Sequence, residues 1–148
     1  RAQAVVIIGN DHFNIKEKLN EFLSNQQNNT LKIFEATIIP KTNIEKLKNK
    51  RLYAFSGIGR PKKFFDTLER IGSCVIAKIN FKDHHQFSQR EVKNLVKSAK
   101  KQEALLVTTS KDYARLSNDQ KKHVTEILVK IKWKNINDRK ILLEKYLR

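Results

Sequence analysis

The sequence predicts an α/β fold, a three-layer sandwich whose mostly parallel sheet is covered by helices on both faces. Three observations lead there. The unbroken apolar run Ala4 to Ile8 and the segment Arg51 to Ser56 have the character of strands buried on both sides. Segments with apolar residues at i, i+3, i+4 and i+7 lie between them, the spacing of helices with one buried face. The two patterns alternate along the chain without an internal repeat or a low-complexity linker.

Taken in order, Ala4 to Ile8 is the first strand and ends at Gly9. Ile15, Leu19, Phe22 and Leu23 form a helical stripe that fades into the polar stretch Ser24 to Asn29, a turn. Thr30 to Ile39 is strand-like, with Pro40 as its stop. Arg51 to Ser56 leads straight into Gly57-Ile58-Gly59-Arg60-Pro61. Pro61 suits the first position of a helix, Phe64, Phe65, Leu68 and Ile71 give it a buried stripe, and Gly72 ends it. Cys74 to Ile79 is the next strand and runs into the polar cluster Lys82 to Gln86. Ser88 and Glu91 form a capping box for a helix carrying Val92, Leu95, Val96 and Ala99 on one face. Ala104 to Val107 is a short strand, and Thr108 to Asp112 opens a short helix through Leu116. Val124 to Ile131 reads as one more strand, and Ile141 to Leu147 as a closing helix. Ligands of parallel sheets gather outside the carboxyl ends of the strands. The candidate loops are therefore Gly57 to Pro61, Lys82 to Gln86 and Thr108 to Asp112.

The length of 148 residues suits one domain with one core. The longest apolar run, Ala4 to Ile8, falls far short of the roughly 20 residues of a membrane-spanning helix. Mean hydropathy is −0.59, as in a soluble or peripheral protein. Cys74 is the only cysteine, which rules out an internal disulfide and fits a reducing, cytoplasmic compartment. The absence of methionine and the immediate start in a strand suggest a piece of something longer. Lys and Arg number 31 against 15 Asp and Glu, a formal charge of +16. Such a charge favours nucleic acid, an anionic bilayer or phosphorylated ligands without choosing among them.

Each candidate loop has a structural and a functional reading. Gly57-Ile58-Gly59 before a helix brings backbone amides toward a phosphate, or is a tight turn needing φ > 0 at both glycines. It is not a dinucleotide fingerprint, since position 62 is Lys, and the chain contains no P-loop. Asp83-His84-His85 supplies imidazoles that exchange protons near neutral pH, a catalytic loop, or is a solvated loop with Asp83 capping a turn. A metal site there would need more ligands than His12, His123 and scattered carboxylates offer, and the D-x-D pair of DHH phosphodiesterases is lacking. Thr109 or Ser110 reads as an N-cap with Asp112 complementing the helix dipole, with Lys111 as a candidate contact for an anion. Trp133 and Tyr146 read as packing residues rather than stacking platforms.

AFSGIGRPKKFFDTL (Ala54 to Leu68), DHH (Asp83 to His85) and TTSKDYARL (Thr108 to Leu116), in this order and spacing, resemble the tetraacyldisaccharide 4′-kinase family of lipid A biosynthesis. The opening QAVVIIG is similar to the strand that begins the second half of that family. The resemblance covers essentially the whole chain and only the C-terminal half of the enzyme, the C-terminal lobe of a P-loop-type lipid kinase. Ser110 departs from the pattern, standing where the family usually has Glu.

The resemblance implies transfer of the ATP γ-phosphate, with Mg²⁺, to the 4′-hydroxyl of tetraacyldisaccharide 1-phosphate. The product would be lipid IVA, made on the cytoplasmic face of the inner membrane. Nucleotide, metal and a catalytic aspartate would belong to an N-terminal P-loop half, and His84 would form a dyad with that aspartate. Asp83 would hold its loop or the histidine, Gly57, Gly59, Arg60 and Lys111 would lie near substrate or phosphate, and no metal ligand would come from this chain. The implied partners are the P-loop half, the acylated disaccharide and an anionic membrane surface, with no nucleic acid. The chain alone is expected to be inactive. The alternatives are a basic nucleic-acid-binding domain, marked by steep loss of affinity with salt, and an inactive remnant of the kinase.

Overall fold

The computed structural model describes residues 2–25, 31–41 and 44–146. Among them the strands are β1 Ala4–Ile8, β2 Lys32–Pro40, β3 Arg51–Ser56, β4 Cys74–Asn80, β5 Leu105–Thr109, β6 Thr125–Ile127 and β7 Val129–Trp133. The α-helices are α1 Ile15–Ser24, α2 Pro61–Arg70, α3 Gln89–Lys101, α4 Ser110–Ala114, α5 Asn118–Lys121 and α6 Asp138–Tyr146. Thr30, Leu147 and most of the polar stretch expected as a turn after α1 lie outside the described residues. Where the sequence suggested one core, the chain forms two compact units, residues 40–129 and residues 1–39 with 130–148.

The unit of residues 40–129 is the α/β sandwich. Its sheet runs β4-β3-β5-β6, and the neighbouring strands pair in parallel. Side chains alternate across a strand, so β3 serves both faces. Leu52 and Ala54 pack in a cluster with Phe64, Phe65 and Leu68 of α2. Tyr53 and Phe55 pack in a second cluster with Val92, Leu95 and Ala99 of α3. Burial of β3 on both sides is why its interior, Leu52 to Phe55, carries no charged residue. Pro61 begins α2 as its spacing suggested. Gly72, at φ +79, ends it with the paired bonds of a left-handed C-terminal turn, Gly72 N–H to Glu69 O at 3.0 Å and Ser73 N–H to Leu68 O at 3.4 Å.

In the other unit the strand order is β1-β2-β7, with β1 and β2 parallel. Phe34 of β2 is buried, and Trp133 and Tyr146 stand edge-on to it with ring centroids at 6.3 and 6.1 Å, which makes both of them packing residues. The start of α1 is held from outside the helix. Asn14, at φ 51, makes no side-chain cap, and the Asp11 carboxylate accepts from the amides of Ile15 and Lys16 at 2.7 and 2.8 Å. Those two amides hold the Asp11 carboxyl below its ordinary pKa. The apolar stripe of α1 is present, yet none of the helix's residues is buried.

The run Val124 to Ile131 is not one strand. Its first part, β6, joins β5, with Ile127 buried in the core, whereas β7 belongs to the other sheet and exposes Val129 and Ile131. The β-branched and apolar residues of this stretch continue through Ile127, Leu128 and Val129 with no Gly or Pro to mark where the chain changes sheets. Pro40 closes β2 as its last residue rather than standing beyond it. The short helix α5, with its Ser117–Gln120 capping box, has no counterpart in the sequence reading.

The capping box of α3 is formed as expected. The Ser88 hydroxyl accepts from Glu91 N–H at 3.2 Å, and the Glu91 carboxylate accepts from the Ser88 amide and hydroxyl, each at 2.7 Å. Those bonds from Ser88 lower the Glu91 pKa below its ordinary 4.5 against an opposing desolvation. A depressed folded value means that the contribution is complete above the ordinary value and disappears as pH falls through the folded one. Urea unfolding at about pH 7 and about pH 3 should therefore show Glu91→Gln less stable than wild type at the higher pH, with the gap closing at the lower. Ser88→Ala should cost about 1 kcal/mol.

Candidate functional site

Within residues 40–129 the chain leaves β3 for β4 on one side and returns to β5 on the other. The carboxyl ends of β3 and β5 are thus the switch point at which parallel sheets open a crevice. Asp112, in the first turn of α4, fills that junction with no exposed surface. One carboxylate oxygen, Oδ2, accepts from the Ser56 hydroxyl at 3.1 Å, the Gly57 amide at 3.0 Å and the Thr109 hydroxyl at 2.8 Å. The other, Oδ1, accepts from Arg115 Nη1 at 3.1 Å. Three neutral donors and one cation answer the cost of burying the charge. The Thr109 hydroxyl in turn accepts from the Asp112 amide at 3.1 Å as the N-cap of α4, one of the two residues the sequence offered for that role.

The loop after β4 lies against the loop after β3. Phe81 N–H bonds Ser56 O at 2.8 Å, and His84 N–H bonds Gly57 O at 3.1 Å. A Cβ at Gly57 would stand 3.1 Å from Lys82 O, 3.2 Å from His85 Cβ and 3.4 Å from Asp112 Oδ1. At Gly59 it would stand 3.1 Å from Asp83 Oδ2. Neither glycine has a positive φ, so the tight-turn reading of this pair is corrected. At Gly57 the backbone and a Cβ of another loop stand close, whereas at Gly59 only the movable Asp83 carboxylate does.

The two adjacent histidines have different surroundings. His85 is mostly covered, stacks on Phe81 with centroids 4.7 Å apart, and places Nε2 3.0 Å from Glu91 Oε1. It ties the loop to the start of α3. His84 adopts φ 60, a left-handed conformation that costs a β-carbon residue about 1–3 kcal/mol. Its side chain is 80% exposed. Nδ1 lies 3.1 Å from Arg115 Nη2, and Nε2 lies 4.0 Å from Asp83 Oδ1. Asp83, half-exposed, accepts from the His84 amide at 3.0 Å. Arg115 also donates to Gly57 O at 3.2 Å, so one guanidinium joins all three loops.

Of the sequence candidates, Gly57, Gly59, Asp83 and His84 come together here. Arg60 is exposed at the start of α2, and Lys111 is exposed in the first turn of α4. Neither side chain forms a hydrogen bond or ion pair among the described residues. Ser56, Asp112 and Arg115 were not singled out as site residues, although Asp112 and Arg115 at i and i+3 after a capping threonine were a legible pair. Among the described residues no three His, Cys, Asp or Glu side chains converge as a cation site. Asp112 is fully buried, which leaves the half-exposed Asp83 as the carboxylate of this site open to a cation, a single ligand that does not hold Mg²⁺ without water or phosphate oxygens. The arrangement presents an imidazole for proton exchange beside a carboxylate and a guanidinium, with free cations on the neighbouring helix starts.

Residues 1–147 match the family described as tetraacyldisaccharide-1-P 4′-kinase, LpxK. The tetraacyldisaccharide 4′-kinase of Paramagnetospirillum magneticum is 35% identical over 133 residues, 90% of this chain and 39% of its own length. That of Gluconobacter oxydans is 35% identical over 133 residues, 90% of this chain and 38% of its own length. That of Rickettsia typhi is 34% identical over 116 residues, 78% of this chain and 33% of its own length. This chain therefore spans well under half the length of these relatives. A crystal structure described as the "apo" form of LpxK from Aquifex aeolicus in complex with ATP is similar in fold, with a TM-score of 0.52 and 19% identity. The likeness covers 95% of this chain and 50% of that one.

Asp112→Asn puts an amide N–H₂ among donors and leaves Arg115 poorly paired, so urea unfolding should show a loss of about 3–5 kcal/mol. His84→Ala should stay within about 0.5 kcal/mol of wild type, because its side chain is largely in solvent. In the same assay Gly57→Ala should lose about 1–3 kcal/mol, because backbone and a Cβ stand in its way. Gly59→Ala, opposed only by a half-exposed side chain, should lose clearly less.

Proposed function

Since this chain belongs to the tetraacyldisaccharide 4′-kinase family, we propose that it is the C-terminal part of a lipid kinase completed by a P-loop half. The reaction is attack of the 4′-hydroxyl oxygen of tetraacyldisaccharide 1-phosphate on the γ-phosphorus of ATP. The new O–P bond forms as the bond to the β-phosphate breaks, ADP leaves, and the hydroxyl proton passes to a base. We assign that base to His84. The observation that carries the assignment is an outward imidazole at the switch point of the sheet, on a strained backbone, held by a buried network.

A sugar hydroxyl is a poor nucleophile, and a positioned base contributes roughly 10²–10⁴-fold, or about 3–5 kcal/mol. Asp83 holds the His84 amide and so the aim of the loop. Arg60 and Lys111, exposed and without partners among the described residues, are the groups we assign to phosphate. Mg²⁺ neutralises developing charge in phosphoryl transfer, and we assign its ligands mainly to the P-loop half, since no three ligating side chains converge among the described residues. No helix among the described residues is long and apolar enough to cross a membrane. Peripheral attachment to the cytoplasmic face of the inner membrane would draw on the lysine-rich exterior, at about 1 kcal/mol per residue close to anionic lipid.

The test is phosphate transfer from labelled ATP to the acylated disaccharide, with this chain alone and with a P-loop half from a relative supplied in trans. Transfer is expected only with both present, and His84→Ala in the active pair should lower kcat by roughly 10²–10⁴-fold. Transfer by the chain alone would overturn the division of labour. Equal rates for wild type and His84→Ala would remove the base assignment.

A further inference from the structure

A neutral imidazole has one N–H and one lone pair, and the partner of either nitrogen decides which is which. Arg115 cannot be an acceptor, because a guanidinium carries donors only. Its Nη2, 3.1 Å from His84 Nδ1, therefore meets a lone pair there, and the ring proton sits on Nε2. Arg115 is in turn held firmly. Nη1 donates to the buried Asp112 carboxylate at 3.1 Å and to Gly57 O at 3.2 Å, and the side chain is only 18% exposed.

We propose that Arg115 is a positioning residue that latches His84 by its Nδ1 lone pair, leaving Nε2–H as the only function the ring presents outward. While the latch is closed, His84 offers a donor, suited to a carboxylate or phosphoryl oxygen, and has no free lone pair. Taking a proton from a hydroxyl requires the contact with Arg115 to open, which exposes Nδ1. The proton then forms a bond to Nδ1, and the ring becomes an imidazolium that the guanidinium would repel. The catalytic meaning of the latch rests on His84 being the base, but its existence does not.

The experiment is long-range ¹H–¹⁵N correlation of the imidazoles in the ¹⁵N-labelled chain at about pH 8, above the ordinary histidine pKa of about 6.5. The exposed His12 and His123 serve as references within the same spectrum. Wild type should show His84 as a single Nε2–H tautomer, with its Nδ1 resonance displaced from those of the references. Arg115→Lys keeps a cation for Asp112, but one ammonium on a flexible stem does not reproduce the fork that spans carboxylate and imidazole. In that variant the His84 Nδ1 resonance should move to the reference position while the backbone spectrum and urea midpoint stay close to wild type. A His84 spectrum like that of His12 in wild type, or one unchanged in Arg115→Lys, would overturn the latch. Loss of kinase activity in His84→Ala leaves these readings untouched, so the two assignments fail separately.

Discussion

The buried carboxylate of Asp112 is the interaction on which the candidate site of this protein depends. A charge without solvent is tolerated only when donors converge on it, and here they come from the ends of two adjacent parallel strands and from the helix that follows one of them. Satisfying that carboxylate fixes the end of β3, the start of α4 and the side chain of Arg115 together. The junction is polar and fully enclosed, in contrast to the two apolar clusters on either side of β3.

The loop after β4 inherits its position from that junction. It lies so close to Gly57 that a Cβ there would crowd it, and the closeness is what lets the His84 amide reach Gly57 O. The loop then divides its labour between neighbours. His85 is spent on structure, stacked on Phe81 and bonded to Glu91 of the α3 capping box. His84 is turned outward by a left-handed backbone, the kind of strain that persists only where surrounding contacts over-determine it. An exposed imidazole on a rigid mount is what proton exchange at a cleft requires.

Most of the sandwich was legible in the sequence because its signals are local. Arg51 to Ser56 reads as a buried strand, Pro61 and Gly72 bracket a helix, and the Ser88–Glu91 box marks the next one; each is set by residues within a few positions of one another. The second sheet was less so. β6 and β7 follow one another with no Gly or Pro between them, and the side on which each strand finds a neighbour is a long-range fact. Gly57 and Gly59 stand out in the sequence, but the tight-turn reading rests on a local positive φ, whereas the crowding at Gly57 comes from another loop.

The sequence alone determined the α/β class, the order of the central elements, and three loops whose motifs resemble one kinase family. Periodicity, caps and motif spacing need no partner from elsewhere in the chain. Only the tertiary structure decided that Asp112 is a buried hub rather than a surface charge on a helix dipole, that Arg115 belongs to the site, and that His84 and not His85 faces outward. Burial and ion pairing depend on which segments the fold brings within a few ångströms of each other. Asp112 meets Ser56 and Gly57 across more than fifty residues of chain, a distance over which sequence pattern carries no register.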